Sequence, residues 1–217
     1  MHILANIMFP TTDSLKQFLH YASNHTTAHT LLNQSQQSLR QLSITYRQAA
    51  VLMPFDWNQG TPQIWLSQRS QQLRQHSGQI AFPGGQLETN ETPICAAMRE
   101  SKEEIGLISS QWHLAGTLPP CYLPSGFKVV PVLAWSKAQL QWQANQAEVS
   151  DILAVPLSIV LDSSLYQQST FQYQQLWLPV YHLHHQQRHI WGATAAMLLH
   201  MAQCYQAWCS KPVASVR

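Results

Sequence analysis

From Gly84 to Leu107 the chain reads GGQLETNETPICAAMRESKEEIGL, and this stretch decides how the rest is read. The whole protein has only ten acidic residues, yet Glu88, Glu91, Glu100, Glu103 and Glu104 fall inside these two dozen positions. The spacing predicts a helix over 92–104. Thr92 is a good N-cap, Pro93 suits the first helical position, and Gly106 is placed to end the helix in a left-handed turn. On such a helix Glu100 stands three residues from Glu103 and four from Glu104, so the three share one face and their carboxylates are expected to converge. Ile94, Ala97 and Met98 share another face, expected to pack on a sheet. Acids near a helix C-terminus oppose the macrodipole at a cost of about 0.3–1 kcal/mol each when exposed. A chain this poor in charge has little reason to crowd them there unless a cation lies between them. Carboxylate oxygens suit Mg²⁺ or Mn²⁺ better than zinc or copper.

Working outward, the 217 residues suit one domain, or one domain with an appendage. Charged residues make up 10% of the chain, well below the roughly 25% usual for globular domains, so Gln, Ser, Thr, Asn and His must cover much of the surface. A net charge of +2 is too balanced for a nucleic-acid arm, and no basic aromatic stripe appears. No apolar run approaches the ~20 residues of a membrane span, and the amino terminus lacks the charged start of a signal peptide. The expectation is a cytoplasmic protein that binds neither nucleic acid nor membrane, as a monomer or homodimer. Cys95, Cys121, Cys204 and Cys209 form no C-x-x-C pair and are expected to be buried or half-buried free thiols. Helices are expected at 13–21 (capped by Asp13), near 31–42 and at 194–208. Strands are expected at 49–54, 63–66, 80–82, 113–118, 128–135 and 171–182, which makes a mixed α/β chain. The histidines His182, His184, His185 and His189 match no zinc spacing and are expected on an edge strand or hairpin.

The acidic segment also carries a family signature. Gly85, Glu91 after five residues, and Arg99-Glu100-Ser101-Lys102-Glu103-Glu104-Ile105-Gly106-Leu107 after seven more resemble the Nudix box. The single departure is Ser101, which stands where a bulky aliphatic is expected; its place on the packing side would weaken core contact, not metal binding. A second block precedes the box. Leu66-Ser67-Gln68-Arg69-Ser70, Leu73-Arg74, His76, Gly78-Gln79 and Phe82-Pro83-Gly84-Gly85 resemble the coenzyme A pyrophosphatase branch of the Nudix hydrolases. Pro124-Ser125-Gly126-Phe127, Glu148-Val149, Val155-Pro156-Leu157 and Ile190-Trp191-Gly192 resemble later segments of that branch, although Ala154 replaces an acid often found there.

The resemblance implies a Nudix fold: an α/β/α sandwich with a mixed β-sheet and a loop-helix catalytic motif, over about 43–208. A helical extension would precede it at 1–42 and a tail would follow at 209–217. It implies hydrolysis of the pyrophosphate bond of coenzyme A or its thioesters with Mg²⁺ or Mn²⁺. Glu100 and Glu104 would be direct metal ligands, and Glu103 a further ligand or part of the water-activating group. Arg99 and Glu91 would hold the loop against the helix by pairing, and Glu148 is a separate loop candidate for the base. Gly84 and Gly85 would let the backbone turn into the helix. Arg69, Arg74, His76 and Lys128 are the basic residues placed to hold phosphate oxygens. Two rivals stand beside this reading: a Nudix hydrolase of ADP-ribose or NADH, and a catalytically silent nucleotide-binding module.

Overall fold

A computed structural model describes residues 9, 11–24, 39, 44–58, 61–72, 76–138 and 141–210 of the chain. The helix expected near 31–42 lies outside them except for Leu39, and so does Arg74.

Two long strands, β1 (Arg47–Asn58) and β7 (Phe127–Trp135), run parallel down the middle of the main sheet, with Ala50 opposite Val130 and Val51 opposite Pro131. Every other pairing is antiparallel, so the sheet is mixed. The path β3-β2-β1-β7-β5 is built from β2 (Thr61–Arg69), β3 (Ile80–Ala81) and β5 (His113–Thr117). Off that path, β4 (Gly84–Gln86) pairs with β1, β6 (Cys121–Leu123) with β7, and β8 (Val149–Pro156) with β2.

Alternation along the two central strands divides the core. Ala50 and Leu52 of β1, with Val132 and Ala134 of β7, face α2 (Pro93–Ile105), where they meet Ala96, Ala97 and Ile105. Met53, Phe55 and Leu133 face the opposite way, toward α1 (Thr12–Asn24) and α4 (Gly192–Cys209). This is the helix–sheet–helix sandwich of the Nudix fold. On the second face Phe18 lies 5.4 Å from the Tyr205 ring and 5.8 Å from Trp208, which docks α1 on α4. A smaller three-stranded sheet, β9 (Tyr166–Tyr173), β10 (Leu176–His185) and β11 (Arg188–Trp191), completes the molecule after a four-residue helix, α3 (Leu157–Val160).

Several expectations are corrected. Helix α1 is capped by Thr11, not Asp13. The Thr11 hydroxyl accepts from Ser14 N at 3.2 Å while Ser14 Oγ accepts from Thr11 N at 3.3 Å, and Asp13 sits in the first turn paired with Lys16. The stretch 171–182 is not one strand but parts of β9 and β10, with Gln174 in the turn at φ +53°. Ile94, on the first turn of α2, is exposed, and the helix packs instead through Ala96, Ala97, Ser101 and Ile105. Cys121 and Cys204 are buried free thiols, whereas Cys95 and Cys209 are exposed, each near a helix end. The histidines lie on the β10–β11 hairpin as expected.

Candidate active site

Helix α2 is fixed at both ends as its sequence predicts. The Thr92 hydroxyl accepts from Cys95 N at 3.2 Å, and Pro93 fills the first turn. Gly106, at φ +71°, donates its N–H to Lys102 O at 3.1 Å, and Leu107 N reaches Ser101 O at 3.3 Å, a left-handed closure that glycine permits. Ser101 is fully buried on the packing side, where its hydroxyl donates to Ala97 O at 2.6 Å. The polar replacement at an aliphatic position is therefore satisfied within the helix.

The loop ahead of the helix is clamped by one arginine. Arg99 Nε donates to Glu91 Oε1 and Nη2 to Glu91 Oε2, both at 2.9 Å, a bidentate pair. Glu91 Oε2 also accepts Glu88 N at 2.9 Å, and Arg99 Nη2 reaches Gln86 O at 3.3 Å, so the chain from β4 to α2 closes around the guanidinium. Arg99 holds the Glu91 carboxyl below its ordinary range. Arg99 Nη1 also touches Glu100 Oε1 at 2.8 Å and Glu103 Oε2 at 3.4 Å.

The three helical acids do not close on one point, as the spacing had suggested. Glu100 lies against Gly85, so tightly that a Cβ there would stand 2.4 Å from Glu100 Oε1. Glu104, 3% exposed, points at the neighbouring residue and accepts from Gly84 N at 3.1 Å, with Arg69 Nη1 3.5 Å from its other oxygen. Glu103 is exposed and turned to Arg99. The physical reason is that like charges separate, and Arg99 draws two of the three to itself. Burial pushes the Glu104 carboxyl up to about 7; the Gly84 N–H and Arg69 oppose this, and the charges of Glu100 and Glu148 add to it.

The fit to a divalent cation rests on this geometry. Among the described residues no three His, Cys, Asp or Glu side chains form a finished cage. Glu100 and Glu104 nonetheless stand one turn apart beneath two consecutive glycines, in a cradle that any side chain at Gly85 would fill. The donors are hard carboxylate oxygens, one of them desolvated, which is the chemistry Mg²⁺ and Mn²⁺ take. A cavity of about 600 Å³ opens beside them, walled by Gln86, Leu87, Glu88, Arg99 and Glu100.

Of the other residues singled out in the sequence, Arg69 ends β2 and reaches the site, and its buried Nε has no partner. His76 takes φ +57° in the β2–β3 turn, with Nδ1 2.8 Å from Gln79 Oε1. Glu148 is half-buried, and its carbonyl accepts Ser70 N at 2.7 Å, which brings the loop beside Arg69. Lys128 lies over the Tyr122 ring at 5.9 Å. Sequence reasoning missed Arg188, which binds Gln68 Oε1 and Asp151 Oδ2. Nothing in the local sequence flags it, because its partners lie 120 and 37 residues away.

With the sandwich, the loop-helix clamp and the acid pair in place, the class follows. The chain matches the NUDIX domain over residues 45–174, more than half its length, and it belongs to the Nudix family. Its activity is thereby hydrolysis of a nucleoside diphosphate derivative. The chain is 37% identical over 157 residues to the uncharacterized Nudix hydrolase NudL of Pectobacterium atrosepticum, covering 72% of this chain and 81% of that protein. It is 34% identical over 162 residues to NudL of Yersinia pestis, covering 74% and 81%. Among solved structures, RenU, a Nudix hydrolase from M. smegmatis, superposes with a TM-score of 0.51 at 20% identity over 78% of this chain and 89% of that one, a likeness of fold. Among the described residues no helix is long and apolar enough to cross a membrane.

Proposed function

We propose that this chain is a cytoplasmic coenzyme A diphosphatase, hydrolysing the pyrophosphate of coenzyme A and its thioesters to 3′,5′-adenosine diphosphate and (acyl-)4′-phosphopantetheine. The observation that carries the reading is the block from Leu66 to Gly85 that resembles the coenzyme A branch. That block brings Arg69 to Glu104 and sets Gly84 and Gly85 over the two acids.

The roles follow from chemistry. Glu104 and Glu100 would hold Mg²⁺ or Mn²⁺, with Glu103 free to swing from Arg99 as a further ligand. Bound there, the cation neutralises the pyrophosphate and lowers the pKa of the attacking water. Arg99, by occupying Glu91 and Glu100 together, keeps the carboxylates at fixed positions. Arg69, 3.5 Å from Glu104, would take a phosphate oxygen. Glu103 and Glu148 are the acids proposed to take the proton of the attacking water; the charge of Glu148 is felt at Glu104. Arg74 and His76 are the residues proposed for the 3′-phosphate.

The test is incubation of the purified protein with coenzyme A and Mn²⁺ or Mg²⁺, beside dephospho-coenzyme A, ADP-ribose and NADH. Release of 3′,5′-adenosine diphosphate, fastest from coenzyme A and abolished by chelator, is the expected result. Preference for ADP-ribose or NADH would keep the Nudix chemistry and discard the branch. Turnover of none of them would favour a nucleotide-binding module.

A further inference from the structure

Where the β2–β3 hairpin meets the β10–β11 hairpin lies a second cavity of about 370 Å³. Its walls are Gln68, Ser77 and Gln79 of the hairpin and Gln187, His189 and Trp191 of the β10–β11 hairpin, with Arg188 between them. The aromatic wall is braced by its own contacts. Ser169 Oγ meets His182 Nε2 at 2.7 Å, and His182 Nδ1 meets His189 Nε2 at 3.0 Å. The His184 and His189 rings stack at 4.4 Å and 5°. Trp191 continues the same face, its ring 6.4 Å from His189, and remains 42% exposed. Its place is set by Gly192, which turns the chain into α4 at φ +65°, a conformation other residues rarely adopt.

The charge in this cavity is already matched. The Arg188 guanidinium lies between the Asp151 carboxylate and the Gln68 amide oxygen, so it presents little net charge to a phosphate. What remains open is a flat indole and imidazole surface beside the carboxamide of Gln187. A heteroaromatic base matches that combination: its face stacks and its polar edge accepts and donates to an amide. A flexible amide chain would gain little from a flat wall.

We propose that this cavity is the nucleobase subsite, with the base stacked on Trp191 and His189. This rests on the proposed action on an adenine nucleotide and names the residues that hold its base. The connection to the reacting centre is the hairpin itself. Arg69 N donates to Gln79 O at 2.9 Å, and Gly78 N donates to Arg69 O at 3.1 Å. The strand end that points Arg69 at Glu104 thus builds the cavity wall one residue away, at Gln68, so one hairpin serves both base and pyrophosphate.

Calorimetric titration of the full chain with AMP, adenosine and ribose 5-phosphate tests this, in wild type, Trp191→Ala, Trp191→Phe and Gln187→Ala. AMP and adenosine are expected to bind the wild type, Trp191→Ala to weaken both about tenfold, and Trp191→Phe to restore most of the loss. In turnover, Trp191→Ala is expected to raise KM for the preferred substrate more than it lowers kcat. Equal AMP affinity in wild type and Trp191→Ala, or ribose 5-phosphate binding as well as AMP, overturns the subsite. The two readings fail separately. Loss of AMP binding in Trp191→Ala supports the subsite whichever adenine nucleotide derivative is hydrolysed, and coenzyme A hydrolysis with unchanged KM in that variant removes the subsite alone.

Discussion

Two adjacent glycines make opposite predictions, and the contrast tests how the site is built. At Gly84, φ is +153° and a Cβ would stand 2.3 Å from Ala50 O and 2.6 Å from Val51 Cα. Both atoms are backbone of the central strand, so Gly84→Ala must lift β4 from β1. Strain at the position and one or two lost ladder bonds together cost about 3 kcal/mol, or a melting temperature lower by about 10 °C at this chain length. At Gly85 the obstacle is the end of a side chain, the Glu100 carboxylate at 2.4 Å. Gly85→Ala can be accommodated if Glu100 swings out and leaves its 2.8 Å contact with Arg99. Stability should then change by less than about 1 kcal/mol. Displacing Glu100 from the cation position proposed for it should cost about 100-fold in kcat/KM. The assay pairs thermal melts with kcat/KM on the substrate the wild type turns over fastest with Mn²⁺. A Gly85→Ala enzyme that melts normally and keeps kcat/KM within about threefold of wild type would refute the working position of Glu100.

Other outcomes follow from the same geometry. Burial pushes the His200 imidazole in α4 down to about 4, while an unfolded chain protonates it near 6.5. Between those values the unfolded state binds more protons, so stability falls as pH drops through the window, by about 3 kcal/mol in all. Urea titrations at pH 7 and pH 4.5 should show the loss, and His200→Leu should flatten it. Glu91→Gln breaks the bidentate pair with Arg99 and should lower kcat by about 10-fold or more and the melting temperature by about 2–4 °C. Ser101→Ala removes one satisfied hydroxyl inside α2, so stability should shift by no more than about 1 kcal/mol and turnover should hold.

The sequence announces its local signals and hides its long-range ones. Thr92, Pro93 and Gly106 specify both ends of α2 through contacts within four residues, and the observed helix runs between them. The split of 171–182 into two strands was invisible because the turn is made by Gln174 in a left-handed conformation, without the glycine, asparagine or proline that marks most turns. Strand β8 was missed for a different reason. Its Ile152–Val155 run is apolar without a break, so it lacks the two-residue alternation of a half-buried strand, and three of those four residues are only half-buried. At the site, the partnership of Glu91 with Arg99 was foreseeable from the box, but the separation of Glu103 from Glu104 was not. Which acid Arg99 takes depends on side-chain directions that residue spacing does not encode.

The docking of α1 on α4 bears on how this chain can be cut or recombined. The 45–174 segment that carries the family match is not a transplantable module. Ala49, Phe55, Ile64, Leu66 and Leu133, all within it, are covered by a cluster that draws Leu15, Phe18 and Leu19 from upstream and Leu183, Ile190, Leu198 and Met201 from downstream. Excised at the family boundaries, the segment would carry the whole acidic motif on a sheet with one naked apolar face, and such faces associate. The hydrolytic parts and the parts that keep them dissolved are therefore interleaved along the chain, and a fusion or truncation that respects the motif alone will yield aggregate instead of enzyme.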